Sequence, residues 1–392
     1  MKELGLEQIG LVEASGIAFN PGDGHLYLLN AAAEVLYELT EAGQLVAIRD
    51  LSAFNLVAPE GMVFAPSRDQ TDDAAQMSLY MADSGQDGQI IEFSLIAPPA
   101  VAWPVSTIEA TLVRTIKTSQ FSPPSPDPSG LVYLVSANTL LISDSEVNEI
   151  PELFTGDNLF EATLSGNLIN TSTTTGFSVE PAGLAFNTKN GHLFVSDDDQ
   201  KRIFEVSPGG DGYYGTADDV ITSFNTRPFN SRDPEGVAFD SERGVLYIAD
   251  GVNSEVYRVS PGANGVFDGV PPGGDDQVVH FDTARLGVID PEGIEFNPDN
   301  GHLYLVGEPT NMVAEVTTTG QLVQRISLAA ANPYTPAGLA YGPSSIDAGA
   351  KSLYVADRGV DNDDDPNEND GAVYEFLPDE KGRVIFLPFI RQ

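Results

Sequence analysis

The sequence predicts an all-β fold, a seven-bladed β-propeller of four-stranded antiparallel blades. Three observations predict it: one phrase recurs seven times, the runs between turns have strand length, and glycine and proline punctuate them throughout. The chain has 392 residues, of which 38 are glycine and 27 proline, a turn-rich composition that disfavours long helices. No segment sustains a 3.6-residue apolar period, so helical solenoids are excluded.

The recurring phrase is a Pro- or acid-rich lead-in, a glycine and an apolar triplet. It reads Glu13-Ala-Ser-Gly-Ile-Ala-Phe19, Pro59-Glu-Gly-Met-Val-Phe64 and Asp127-Pro-Ser-Gly-Leu-Val-Tyr133. It continues as Glu180-Pro-Ala-Gly-Leu-Ala-Phe186, Asp233-Pro-Glu-Gly-Val-Ala-Phe239, Asp290-Pro-Glu-Gly-Ile-Glu-Phe296 and Thr335-Pro-Ala-Gly-Leu-Ala-Tyr341. The anchor glycines are Gly16, Gly61, Gly130, Gly183, Gly236, Gly293 and Gly338, spaced by 45, 69, 53, 53, 57 and 45 residues. Seven units thus run through residues 1–392 as one domain.

Each unit divides into four strands. The first is the apolar triplet. A tight turn follows, Asp-Gly at 23–24 or Asn-Gly at 190–191 and 300–301, the residue pairs that favour two-residue hairpins. The second strand is typified by Leu79-Tyr-Met-Ala82, Leu246-Tyr-Ile-Ala249 and Leu353-Tyr-Val-Ala356. The third alternates, as in Glu255-Val-Tyr-Arg-Val259, and the fourth forms the outer edge, as in Gln321-Leu-Val-Gln-Arg-Ile326; alternation marks one wet face. One such sheet cannot bury both faces, whereas a closed ring of them can. The proline-rich stretch 96–126, with the single Trp103, reads as an excursion over the rim.

Charge and composition exclude whole classes of function. Asp and Glu number 58 against 19 Lys and Arg, a formal charge of −39. Such a surface repels nucleic-acid phosphates and anionic membranes. There is no cysteine, so disulfides, thiol catalysis and thiolate-held metals are out. No apolar run reaches transmembrane length, and the opening Met-Lys-Glu-Leu-Gly-Leu lacks the apolar core of an export signal. An acidic, lysine-poor, cysteine-free chain suits secretion, extracellular or periplasmic, into a calcium-containing environment, as a monomer.

The Pro-x-Gly-apolar lead and the Leu-Tyr-Val-Ala-Asp strand end resemble NHL-repeat propellers and the related gluconolactonase/senescence-marker and SdiA-regulated-like families. The resemblance spans all seven units.

Antiparallel connectivity assigns each loop to a face. Lead-ins to first strands and second-to-third connections share the top; first-to-second and third-to-fourth connections share the bottom. The residues just before the anchor glycines enter at the top beside the axis: Ser15, Glu60, Ser129, Ala182, Glu235, Glu292 and Ala337. Three carboxylates converging there need protons or a cation, and an oxygen-only donor set suits Ca²⁺. Resemblance to the gluconolactonase-like family implies a divalent metal at this position, with Glu60, Glu235 and Glu292 matching in type and no matching asparagine evident. The alternative is that these glutamates only cap strands or bind water.

Two third-to-fourth connections are dense in Gly and Asp: 209–219, with Asp211, Asp218 and Asp219, and 264–276, with Asp268, Asp275 and Asp276. Glycines among oxygen donors let a backbone wrap a cation, although neither loop fits an EF-hand. A third acidic run, 361–370, with Asp361, Asp363 and Asp365, joins second and third strands on the top face, preceded by Arg358. The Asp that closes the second strand (Asp83, Asp197, Asp250, Asp357) recurs too regularly for a ligand and is expected to bond the neighbouring turn. His25, His192 and His302 are likewise repeat grammar, leaving His280 off-pattern.

No Gly-x-Ser-x-Gly elbow, His-Glu-x-x-His, P-loop or dinucleotide fingerprint is present. Two readings remain: a secreted calcium-binding module that takes a small-molecule or protein ligand at the top of the channel, or a calcium-dependent hydrolase of lactones, esters or phosphoesters with an axial metal. A channel plugged by side chains favours the first, an open metal site the second.

Overall fold

The computed structural model describes residues 11, 13–54, 56–69, 71–72, 77–85, 88–95, 106–308, 310–360, 365 and 367–378. The chain divides into two compact units, Met1–Ala100 and Val101–Gln392. Its regular structure is β-strand with short 3₁₀ turns, and no helix among the described residues is long and apolar enough to cross a membrane.

The first unit holds two sheets. One is β1 (Gly16–Asn20), β2 (His25–Asn30), β3 (Val35–Leu39) and β4 (Leu45–Asp50); the other is β5 (Pro59–Pro66), β6 (Met77–Asp83) and β7 (Gln89–Phe93). Within this unit β1 lies against β5, and a Cβ on Gly16 would stand 2.8 Å from the Glu60 carbonyl.

The second unit opens with β8 (Ser106–Glu109) and β9 (Thr111–Ile116) and continues with five meanders. These are β10 (Pro128–Leu134), β11 (Thr139–Asp144), β12 (Leu159–Thr163) and β13 (Leu168–Ser172); then β14 (Pro181–Phe186), β15 (Leu193–Asp197), β16 (Arg202–Ser207) and β17 (Val220–Asn225). Next come β18 (Pro234–Asp240), β19 (Val245–Asp250), β20 (Glu255–Ser260) and β21 (Gln277–Asp282), then β22 (Asp290–Asn297), β23 (His302–Glu308), β24 (Thr310–Thr317) and β25 (Leu322–Ser327). The last has β26 (Pro336–Pro343), β27 (Lys351–Asp357) and β28 (Ala372–Leu377).

Seven repeats therefore give seven sheets, two in the first unit and five in the second, and the five of the second unit form a closed cycle of their own. The five inner strands of the second unit follow one another in a cycle: β10 packs on β14, β14 on β18, β18 on β22, β22 on β26, and β26 back on β10. Each of the five anchor glycines of this unit faces the lead-in carbonyl of the next sheet. A Cβ on Gly236 would meet the Glu292 carbonyl at 2.7 Å, and one on Gly338 would overlap that of Ser129. Having β26 on one side and β14 on the other, β10 leaves no opening in this cycle for a sixth sheet.

Residues 106–116 do more than cross the rim. Strand β9 pairs antiparallel with β28, Val373 opposite Ile116, and forms the outer strand of the last repeat's sheet; β8 adds parallel to β25. The 69-residue interval between Gly61 and Gly130 contains these two strands.

Neighbouring sheets bury their faces against each other. Ala185 and Phe194 of one sheet pack with Val237, Phe239 and Ile248 of the next, joined by Phe267. Ala238 and Tyr247 pack in turn with Ile294 and Phe296. Full burial of such side chains contributes roughly 1.5–3 kcal/mol each.

Candidate functional site

The top face of the five-sheet ring is built on a repeated aspartate hydrogen bond. Asp250 accepts from the backbone N–H groups of Arg232, Asp233 and Asn253, and Asp357 accepts from those of Tyr334, Thr335 and Gly359. Asp144 takes the Ser125 hydroxyl and the Asp127 and Val147 amides, and Asp197 takes the Ser178 hydroxyl and the Gln200 amide. In the first unit Asp83 binds the Val57 and Ala58 amides. These aspartates satisfy the turn leading into their own sheet, as their recurrence predicts, and so fix where the lead-in residues point.

At the axial position the structure brings Glu235 and Glu292 together around Arg358. The guanidinium Nη2 lies 3.1 Å from Glu292 Oε2 and 3.5 Å from Glu235 Oε2, and Nη1 lies 3.9 Å from Glu146 Oε1. Glu60 belongs to the first unit, on β5, and is exposed. Arg358 follows the last residue of β27, so the Asp357 turn that anchors its backbone also sends its side chain inward. Burial works against the guanidinium charge, but Glu292, Glu235 and Glu146 outweigh it and hold Arg358 protonated. One cation cannot neutralise both glutamates. Burial and the Glu292 charge push Glu235 well above the usual carboxylate range, while burial, opposed by Arg358, lifts Glu292 to about 7.

Beside this pair, carboxylate oxygens of Asp198, Asp233 and Glu235 lie within 4.8 Å of one another. Lys201 Nζ sits 3.3 Å from Asp233 Oδ1. Asp198 is raised by burial, with Lys201 opposing.

Glu368, in the described end of the third acidic run, reaches the same face. Glu368 is buried, as is Asp127, whose side chain is fully enclosed; burial, then the Asp144 charge and the nearby Glu368, push Asp127 up to about 10. Burial likewise lifts Glu368 and Glu180 to about 7 from an ordinary 4.5. A carboxyl that keeps its proton longer in the fold than in the unfolded chain contributes stability at low pH and loses it as pH climbs through the folded value. Between about pH 5 and about pH 7.5 the melting temperature should thus fall, by roughly 2–5 °C. Circular-dichroism melts check this, and Glu368→Gln should flatten the slope; an equal slope in that variant would remove Glu368 from the account.

The acidic loops differ from one another. In 209–219 the carboxylates are taken by the loop's own amides: Asp219 accepts from Gly215 and Thr216, Asp218 from Gly210 and the Thr216 hydroxyl, and Asp211 from Tyr213. In 264–276, oxygens of Asp268, Asp275 and Asp276 lie within 4.8 Å of one another. Asp276 is buried, its Oδ2 accepts the Asp268 and Gly269 amides, and its Oδ1 has no hydrogen-bond partner. Asp361 and Asp363 lie outside the described residues, and Asp365 is exposed and bonds the Asn367 amide.

The histidines follow the repeat. His25, His192 and His302 place Nδ1 2.7, 2.6 and 2.6 Å from Glu38, Glu205 and Glu315. His280 also meets a glutamate, Glu255, at 3.1 Å.

Sequence reading missed the bottom mouth of the ring. A cavity of about 620 Å³ is lined there by Tyr133, Phe186, Phe239, Phe296 and Tyr341, each three residues past an anchor glycine, together with Glu295. The signal was available: the place two past the glycine is Ala18, Val63, Val132, Ala185, Ala238 and Ala340 elsewhere, and only Glu295 is charged.

The family profile described as SdiA-regulated matches residues 116–334. No curated protein matches the chain. Among solved structures, one of streptogramin B lyase is similar at 12% identity over 93% of each chain, with a TM-score of 0.33. The Myxococcus xanthus glutaminyl cyclase is similar at 16% identity over 70% of this chain and 97% of that one, with a TM-score of 0.43. A nidogen/laminin complex is similar at 13% identity over 83% and 84%, with a TM-score of 0.35. These neighbours are β-propeller proteins.

Proposed function

The chain belongs to the SdiA-regulated family, and from that premise we propose that it is a secreted, calcium-binding propeller that acts as a binding module. The observation that carries this reading is Arg358. Its guanidinium occupies the place among Glu235, Glu292 and Glu146 where a catalytic metal would otherwise balance the charge. The top face keeps a rim of further acids, including Glu180, Asp198 and Asp199, which suits a basic protein or small-molecule ligand.

Calcium belongs, on this reading, to the 264–276 loop. Asp268, Asp275 and Asp276 offer hard oxygen donors, and the unpartnered buried Oδ1 of Asp276 gains a partner when a cation binds. The ion would brace the loop that carries Phe267 into the core between two sheets. Calcium added to chelator-treated protein should raise the melting temperature, and Asp276→Asn should abolish that rise while Glu235→Gln keeps it. The opposite pattern, a rise lost in Glu235→Gln alone, would sink this assignment.

One observation favours the hydrolase reading, the approach of Asp198, Asp233 and Glu235. There the carboxylates would hold Ca²⁺ as a Lewis acid for a lactone, ester or phosphoester. Calcium-dependent turnover of such substrates, lost in Asp198→Asn, would establish it.

A further inference from the structure

Glu295 is a carboxylate set where the repeat calls for a small apolar residue. In the other four sheets of the ring that place holds Val132, Ala185, Ala238 and Ala340, all buried between sheets. Among the described residues no lysine, arginine or histidine forms an ion pair with Glu295. Its polar neighbour is the Tyr341 backbone N–H, which donates to it, and burial holds the carboxyl well above the usual range. A lone acid in such a place carries a desolvation penalty that a Val or Ala would avoid.

What surrounds it has a definite electrostatic character. Tyr133, Phe186, Phe239, Phe296 and Tyr341 come one from each sheet and line the same cavity of about 620 Å³. Aromatic faces carry partial negative charge and attract cations. The basic side chains on the wall are already engaged: Arg243 Nη1 is 2.7 Å from Asp240, and Lys351 Nζ lies 5.8 Å above the Tyr341 ring. The second contact shows that a ring of this wall takes an ammonium. The protein's charge of −39 raises the local concentration of cations.

We propose that the bottom mouth of the five-sheet ring binds an organic cation, an amine or quaternary ammonium with an apolar body, with Glu295 opposite its charge and the five aromatic side chains around it. A cavity of this size suits a small organic molecule. The site stands on the opposite face from the acidic rim and requires no calcium, so it goes beyond the binding-module reading.

Titration calorimetry of the full chain in chelator, with benzyltrimethylammonium as probe and benzyl alcohol as its neutral counterpart, tests this. The cation should bind with sub-millimolar affinity, at least about tenfold tighter than the alcohol. Glu295→Gln should lose about tenfold or more of that affinity while melting no lower than wild type, because it removes a half-buried, poorly solvated acid. Phe296→Leu should weaken binding several-fold, and Tyr341→Phe should keep it. Equal binding of alcohol and cation, or undiminished cation binding by folded Glu295→Gln, would overturn the proposal.

Discussion

Replacing Arg358 with methionine should lower the unfolding free energy near neutral pH by on the order of 3–5 kcal/mol, the range seen when one partner of a buried ion pair is removed. Methionine fills much of the same volume, so the loss is one of charge. Glu292, 3.1 Å away, and Glu235 would lose the cation between them. The unfolded chain, where each glutamate is hydrated, gains by comparison. Lowering the pH to about 5 should shrink the deficit, because Glu235 and Glu292 already favour their protons in this setting. Adding Glu235→Gln and Glu292→Gln to Arg358→Met should restore most of the stability. Urea unfolding of the three proteins at both pH values measures this, and an Arg358→Met chain as stable as wild type at neutral pH would show that the cluster is wet and weakly coupled.

The second large effect is expected at the closing contact of the ring. In Gly338→Ala the new methyl would overlap the Ser129 carbonyl and stand 2.8 Å from the Leu131 amide. Both obstacles are backbone, held in β10 by its pairing to β11, so no side-chain rotation relieves the clash. The two inner strands must separate, and their cavity or strain extends along the contact. A loss of about 4 kcal/mol or more follows, the level reached only by core disruption. Gly244→Ala is the control. It sits in an open turn at φ +67° with nothing near its Cβ position, and should cost about 1–2 kcal/mol for its left-handed backbone alone. Comparable losses in the two variants would mean that the ring is not held at this contact.

The parts of the molecule that were legible in the sequence are those whose partners lie within one repeat. The aspartates at the ends of second strands bond turns some twenty residues away, and the same geometry returns in sheet after sheet, so recurrence alone identified a structural role. The Nδ1-to-glutamate pairs of His25, His192 and His302 follow for the same reason. Membership of the ring was not legible. The cycle closes where β26 meets β10, and β9, just before β10, pairs with β28, contacts between opposite ends of the second unit that no local pattern encodes. Arg358 illustrates a related limit. A single cation beside an acidic run reads as chance until three loops from different repeats deliver Glu146, Glu235 and Glu292 to it. Glu295 was legible in principle, because only a comparison of the repeats with one another was needed to see a charge at an apolar place.

The pairing of β9 with β28 also orders events in time. On the ribosome β9 is among the first segments of its unit to emerge, and its partner strand is among the last. Until then Leu112 and Ile116, which end up packed beside Phe376 and Val373, have no sheet to join, and the early meanders present an uncovered face at each end of a growing stack. Nascent chains stalled before β28 should therefore engage chaperones that hold apolar strands, and release them only once the final meander is out. For this unit, the fold cannot be completed before its final meander has been made.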